Sequence, residues 1–224
     1  MKAIILAAGE GKRMRPLTLE TPKSLLKVGG KTFLDHIFDA LPEEVSEVIV
    51  VVKYLGDKIR SYLGGEYGGR KIVYQDGTGR GTAIDFLECR SFFKENERFL
   101  IIYGDEIPTK KEIRECLSYP LSWLCCWTET PQVSGIADFH LEGQITGVVE
   151  KPENPKSNWA ACGVILVNTD LFSFAPELHT NGEYYLTSMM DKFVKKYRVQ
   201  AVKTGVCRSF TSPGDLEHVA NLNE

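Results

Sequence analysis

Between Glu10 and Lys31 the chain places six cations (Lys12, Arg13, Arg15, Lys23, Lys27, Lys31) against two acids (Glu10, Glu20), within a net charge of −3. The cluster follows at once on the apolar run Lys2–Leu6. Ala7, Ala8, Gly9 and Gly11 carry almost no side-chain bulk, so backbone N–H groups there can come close to an anion or a base. Pro16 and Pro22 stiffen the loop and lower the entropy lost when it closes on a ligand. A polyphosphate fits such a stretch, because fixed N–H groups and converging Arg and Lys neutralise several negative charges together. A solvated charged loop would have the same composition.

Two familiar phosphate loops are excluded by spacing. A P-loop needs a glycine five residues before Gly11 and Ser or Thr after the lysine, but Leu6 and Arg13 stand there. A dinucleotide fingerprint needs a third glycine at position 14, which is Met14.

The elements that must position this loop alternate. Lys2–Leu6, Glu47–Val52, Lys71–Tyr74 and Phe99–Tyr103 read as strands. Thr32–Leu41, Asp57–Leu63 and Thr82–Phe93 have helical spacing. The expected fold class is therefore α/β: a doubly wound, mostly parallel, Rossmann-like sheet, with ligands beyond the carboxyl ends of its strands. The second half reads differently. Trp123–Thr128, Gly135–Phe139, Ile145–Glu150 and Gly163–Val167 are strands with few helices between them, which predicts an antiparallel or mixed lobe packed on the first. Tyr185–Tyr197 is a helix, Val199–Lys203 a strand, and a short helix starts at Pro213. With no linker or repeat, the 224 residues read as one domain of two lobes, 1–110 and 111–224.

Composition removes several classes. The acidic balance argues against nucleic acid as a partner. No apolar run approaches the roughly 20 residues that cross a bilayer, and Ala3–Ala8 is too short for a signal-peptide core. A cytoplasmic protein without a membrane partner is expected. The six cysteines (89, 116, 125, 126, 162, 207) contain no C-x-x-C pair and read as buried reduced thiols.

The stretch Leu6–Arg13 followed by Pro22-Lys23 resembles the G-x-G-x-R…P-K signature of the sugar-1-phosphate nucleotidylyltransferases, also called NDP-sugar pyrophosphorylases. The resemblance continues through Gly81-Thr82-Ala83, Tyr103-Gly104-Asp105, Glu150-Lys151-Pro152, Glu183–Thr187 and Pro213–Leu216, nearly the whole chain in order. It implies one nucleotidyltransferase domain, with nucleotide on lobe 1–110 and sugar phosphate on lobe 111–224. The implied substrates are a nucleoside triphosphate and a sugar 1-phosphate, giving NDP-sugar and pyrophosphate, with Mg²⁺ as cofactor. Some relatives add a C-terminal β-helix; the resemblance implies neither its acyltransferase activity nor its trimerisation, and a homo-oligomer is left open.

Roles follow from that resemblance. Arg13 would fork onto the leaving β- and γ-phosphates and Lys23 onto the α-phosphate region, as the catalytic pair. Asp105, ending a buried strand, would take Mg²⁺. The base would lie against the backbone of Leu6, Ala7, Ala8, Gly9 and Gly11, with Gly81 and Thr82 beside it. Gln75 would offer its amide to the base edge, an amide that can both donate and accept. Asp76–Arg80 reads as a mobile rim or as an ordinary turn. Gly135, Glu150 and Lys151 would hold the sugar phosphate, Glu150 on hydroxyls and Lys151 on phosphate.

Three positions depart from the family pattern. Ser209 stands where a second metal-binding Asp is expected, Ala161 in place of a sugar-contacting Asn, and Ser188 in place of an Asp after Leu186-Thr187. They leave room for an unusual acceptor, for Mg²⁺ held by Asp105 and phosphates alone, or for a nucleotide-binding relative with weak catalysis. A cytidylyltransferase for phosphocholine is the other reading. It needs an aromatic box, for which Trp123, Trp127, Trp159 and Tyr184 are candidates.

Overall fold

The computed structural model describes residues 1–205, 207, 208, 210 and 212–218, the side chains of 217 and 218 excepted. Strand β1 (Lys2–Ala7) enters a loop of three single 3₁₀ turns, Lys12–Met14, Leu17–Leu19 and Lys23–Leu25. The hairpin β2 (Lys27–Val28) and β3 (Lys31–Thr32) turns on Gly29 and Gly30, at φ 58° and 86°, values that favour glycine. Then come α1 (Phe33–Ala40), β4 (Glu47–Val52), α2 (Gly56–Leu63), β5 (Glu66–Tyr67), β6 (Arg70–Asp76), α3 (Thr82–Leu87), β7 (Arg98–Tyr103) and α4 (Lys110–Leu117). The second half holds β8 (Ser122–Trp127), β9 (Gly135–Phe139), β10 (Ile145–Glu150), β11 (Trp159–Asn168), α5 (Leu186–Lys196), β12 (Gln200–Thr204) and α6 (Pro213–His218).

One twisted sheet runs through both halves, in the order β10-β9-β11-β7-β1-β4-β6-β5, with β8 on β11 and β12 on β8. Strands β7, β1, β4 and β6 are parallel, and β1, β4 and β7 are apolar and buried on both faces, as parallel strands between two helical layers are. The antiparallel half is not a separate layer. Strand β11 pairs with β7 from Val164↔Ile102 to Asn168↔Arg98 and so prolongs the same sheet. The chain winds outward from β1 through β4 to β6, then returns to place β7 on the other flank of β1. The switch point lies between the carboxyl ends of β1 and β7, where open α/β sheets bind ligands.

Two apolar clusters cover the two faces of the sheet. One gathers α1, α2 and α4, with Leu34, Ile37, Ile59 and Ile113. The other gathers α3 and α5, with Phe86, Met189, Met190 and Phe193. Three sequence expectations shift. The helix expected over Thr82–Phe93 stops at Leu87 and resumes as a 3₁₀ turn at Arg90–Phe92. That break lets Phe93 pack on Phe99 at 4.2 Å, while Phe86 stacks on Phe172 at 4.3 Å. Strand β6 runs on to Asp76, because Val51 and Val52 continue to pair with Gln75 and Asp76. Helix α4 was not expected at all. It is opened by a capping box, Thr109 accepting from Glu112 N and Glu112 from Thr109 N.

The cysteine expectation is corrected in part. Cys89, Cys116, Cys125 and Cys162 are buried and free, and burial pushes the Cys89 and Cys116 thiols up to about 12. Cys126 and Cys207 instead form a disulfide, with Cα atoms 5.2 Å apart. It ties the end of β8 to the segment after β12. Among the described residues no helix is long and apolar enough to cross a membrane.

Candidate active site

The loop after β1 is folded from inside. Thr18, fully buried, donates its hydroxyl to Gly11 O (2.9 Å), and Tyr54 OH donates to Thr18 O (2.8 Å). Gly11 has φ 60°, and a Cβ there would stand 3.0 Å from Thr18 and 3.2 Å from Lys23, so a side chain has neither the conformation nor the room. Gly9 is the opposite case: nothing lies within 4 Å of where its Cβ would be, so it borders open space. Ala7 and Ala8 are buried. The backbone of Leu6 holds the neighbouring strand end, accepting from Gly104 N at 2.9 Å.

The cations of the loop take three settings. Lys12 and Arg15 lean on Glu10 at 3.4 and 3.5 Å. Arg13, exposed on the first 3₁₀ turn, has no ion pair among the described residues. Lys23 is turned inward, its side chain 15% exposed, and its Nζ stands 2.6 Å from Asp105 Oδ2. The structure thus brings the proposed phosphate-binding lysine and the proposed metal-binding aspartate together across the switch point.

Beside Asp105, Glu106 points away from the loop and accepts from Gly163 N at 2.7 Å on β11. Burial pushes its carboxyl up to about 8, and the Asp105 carboxylate adds to this. Beyond it, burial also pushes Glu112 up, but hydrogen bonds from Thr109 N, Thr204 and Arg208, with the Arg208 charge, leave it below the usual range. Arg208 Nη1 is 2.8 Å from Glu112 Oε1. Ser209, expected beside Asp105, lies outside the described residues.

The acceptor-side residues also converge. Gly135 and Glu150 are cross-strand partners on β9 and β10. A Cβ on Gly135 would stand 2.7 Å from Thr187 and 3.2 Å from Glu150 Oε2. Glu150 Oε2 accepts from Thr187 Oγ1 at 2.5 Å, and Lys151 Nζ lies 3.5 Å from Glu150 Oε1. Lys151 adopts φ 43° and donates to Tyr185 OH at 2.5 Å, its Nζ 4.0 Å from the Tyr185 ring centre. Tyr103 closes the gap between the two sides, its ring lying on Gly163, and burial raises its hydroxyl, with the Glu150 charge adding to the effect.

Gly81 and Thr82 form the joint between the two sides. A Cβ on Gly81 would meet Tyr184 O at 2.4 Å and Tyr184 N at 2.6 Å, and φ is 114°. Ala83 N donates to Tyr184 O (2.9 Å), and Leu186 N to Thr82 Oγ1 (2.9 Å). Gln75 is the penultimate residue of β6, and its Nε2 donates to Asp76 O at 3.1 Å. Sequence reasoning missed Tyr103, Thr187 and Tyr185 as individual contacts, although all three sit inside motifs it singled out. Of the four candidates for a choline box, Trp127 and Trp159 meet edge to face at 5.5 Å, with Trp127 half exposed. Trp123 is buried, its Nε1 donating to Cys162 O, and Lys203 and Arg80 already stand over the rings of Trp159 (4.8 Å) and Tyr184 (5.4 Å).

The chain is similar to several known proteins. GlmU of Methanocaldococcus jannaschii, a bifunctional protein, is 32% identical over 224 residues, spanning 96% of this chain and 52% of GlmU. The chain therefore spans about half the length of the GlmU relatives it matches. AglF of Haloferax volcanii, named UTP–glucose-1-phosphate uridylyltransferase, is 31% identical over 218 residues, spanning 88% of this chain and 85% of AglF. A Bacillus anthracis structure described as a glucose-1-phosphate thymidylyltransferase, in complex with sucrose, has a TM-score of 0.84 at 26% identity, covering 99% of this chain and 94% of that one. A UDP-glucose pyrophosphorylase complexed with UDP-glucose has a TM-score of 0.84 at 20% identity, covering 99% and 97%, a likeness of fold. The family model described as nucleotidyl transferase matches residues 2–207, from β1 to the segment after β12, and the chain belongs to that family.

Proposed function

We propose that the protein transfers a nucleotidyl group from a nucleoside triphosphate to a sugar 1-phosphate. The observation that carries this reading is the Lys23–Asp105 pair, 2.6 Å apart at the mouth of a glycine-lined loop on the sheet's switch point. The reaction joins two anions. An oxygen of the sugar phosphate attacks the α-phosphorus, and the bond to the β-phosphate oxygen breaks, releasing pyrophosphate. The nucleophile is already ionised, so no general base is needed, and positioning and charge neutralisation carry the rate. Arg13, exposed at the loop and without an ion pair among the described residues, forks onto the leaving phosphates. Lys23 neutralises the α-phosphate. Glu150, braced by Thr187, meets sugar hydroxyls, and Lys151, braced by Tyr185, meets the acceptor's phosphate.

Asp105 fits Mg²⁺ as a hard oxygen ligand, since a cation, the Lys23 ammonium, already stands at its Oδ2. Among the described residues no group of three acidic, His or Cys side chains gathers there, so phosphate oxygens and water would complete the shell. Bound Mg²⁺ would neutralise phosphate charge. The base is a uracil or thymine in this reading. With one Nε2 hydrogen given to Asp76 O, Gln75 still offers its amide oxygen to the N3–H of those bases. AglF, a UTP-dependent enzyme by name, agrees with that base and with glucose 1-phosphate as acceptor.

Incubation with each nucleoside triphosphate, Mg²⁺ and a panel of sugar 1-phosphates, with pyrophosphate as the readout, tests the proposal. Release is expected with UTP or dTTP. Silence from every pair, with nucleotide still bound tightly, would leave a binding-only relative.

A further inference from the structure

The segment Gly77–Arg80 follows β6 and borders the β1 loop, and every one of its backbone N–H groups has a protein acceptor. Gly77 N donates to Val52 O (2.8 Å), Thr78 N and Gly79 N to Asp85 Oδ1 (2.6 and 3.3 Å), and Arg80 N to Thr78 Oγ1 (3.1 Å). Thr78 Oγ1 donates to Asp85 Oδ1 as well (3.0 Å). A single carboxylate oxygen on α3 thus collects three donors, and its residue is only 6% exposed. Lys53 Nζ donates to Thr78 O from the outer side. The same loop presses on the glycine-lined turn: a Cβ on Gly77 would stand 2.8 Å from Ala8 Cβ and 3.2 Å from Asp85 Cγ. Asp85, Gly77 and Ala8 form one continuous contact from helix α3 to the turn after β1.

We propose that Asp85 is a positioning residue for the nucleotide, holding Gly77–Arg80 as a rigid wall of the pocket beside Ala8. The claim rests on the reading that the triphosphate lies at the β1 loop. A buried carboxylate is suited to this task because charge-assisted hydrogen bonds to N–H groups are about twice as strong as neutral ones. The loop contains three glycines among Gly77–Gly81 and would otherwise keep much of its conformational freedom. Ordering it in the free protein removes that loss from the binding step. The oxygen acts only as an acceptor, so an asparagine, which keeps a carbonyl oxygen at Oδ1, can stand in for it.

The test compares wild type, Asp85→Ala, Asp85→Asn and Thr78→Ala for nucleotide Kd, acceptor KM and amide hydrogen exchange at Thr78 and Gly79. In Asp85→Ala, nucleotide Kd should rise roughly 10- to 100-fold, acceptor KM should stay near wild type, and both amides should lose protection without ligand. Asp85→Asn, whose carbonyl oxygen accepts without the charge, should restore part of the affinity and protection, and Thr78→Ala should weaken nucleotide in the same direction. Thr78→Ala also decides the matter if Asp85→Ala does not fold, because it removes one donor to Asp85 and the acceptor of Arg80 N without opening the core. Unchanged nucleotide affinity in the variants, or equal losses for nucleotide and acceptor, would overturn the proposal alone. Wild-type protein that binds no nucleoside triphosphate would overturn the reading of the site as well.

Discussion

Lys23 and Asp105 neutralise each other at 2.6 Å, and in the proposed reaction Lys23 would turn to phosphate and Asp105 to Mg²⁺. Lys23→Ala should therefore lower kcat by ~10²–10³, the loss typical of one preorganised charge-stabilising donor, with pyrophosphate release as the check. Glu106 gives a pH signature separate from catalysis. Its carboxyl lies near 8 in the folded chain against 4.5 when free, so the native state holds the proton that the unfolded chain has released. That contribution is fully present below pH 4.5 and is lost as pH rises through about 8. Thermal melts across this window should show wild type losing stability with pH and Glu106→Gln losing less; parallel curves would refute the assignment. At this scale the sequence singled out Gly9, Gly11, Lys23 and Asp105 by residue type, and the structure sets Lys23 against Asp105 and leaves no room for a side chain at Gly11. The sequence was silent on which of six similar cations turns inward, because that depends on Thr18 and Tyr54 folding the loop from below.

Helices and strands set the distances between those residues. Strands β1, β4 and β7 could be read directly, since two-sided burial writes itself as an unbroken β-branched run. Helix α4 could not, because its buried face includes a charged residue, Glu112, alongside Ile113 and Cys116, and the apolar period is broken. Its capping box was the available signal. Thr109→Ala should cost about 1 kcal/mol of stability, read as a shift in urea midpoint at constant slope. Gly81 is the stricter joint. Alanine there drives a methyl into the Tyr184 backbone at φ 114°, so Gly81→Ala should lose roughly 1–3 kcal/mol from strain alone. It should also weaken both substrates, because α3 and the start of α5 meet at that point. A variant as stable as wild type would mean that the joint yields freely.

Among the described residues one ten-stranded sheet runs through both halves, with the candidate site where they meet, and the motifs are accordingly scattered from Leu6 to Leu216. The sequence pattern separated a parallel half from an antiparallel one, yet did not show that β11 joins them through β7, since long-range pairing leaves no local trace. The disulfide was hidden for the same reason: Cys126 and Cys207 are 81 residues apart. Closing a loop of that length is worth about 4 kcal/mol in the chain-entropy picture. Unfolded, unreduced protein should therefore show four reactive thiols, Cys89, Cys116, Cys125 and Cys162, and reduction should lower Tm. The most direct test of the account is a thermal-shift titration of UTP with Mg²⁺ into wild type, Arg13→Ala and Lys23→Ala. At 100 times Kd, wild type should gain about 2.7 kcal/mol and both variants should lose most of that gain; an undiminished shift in both would contradict a triphosphate seated in the turn after β1.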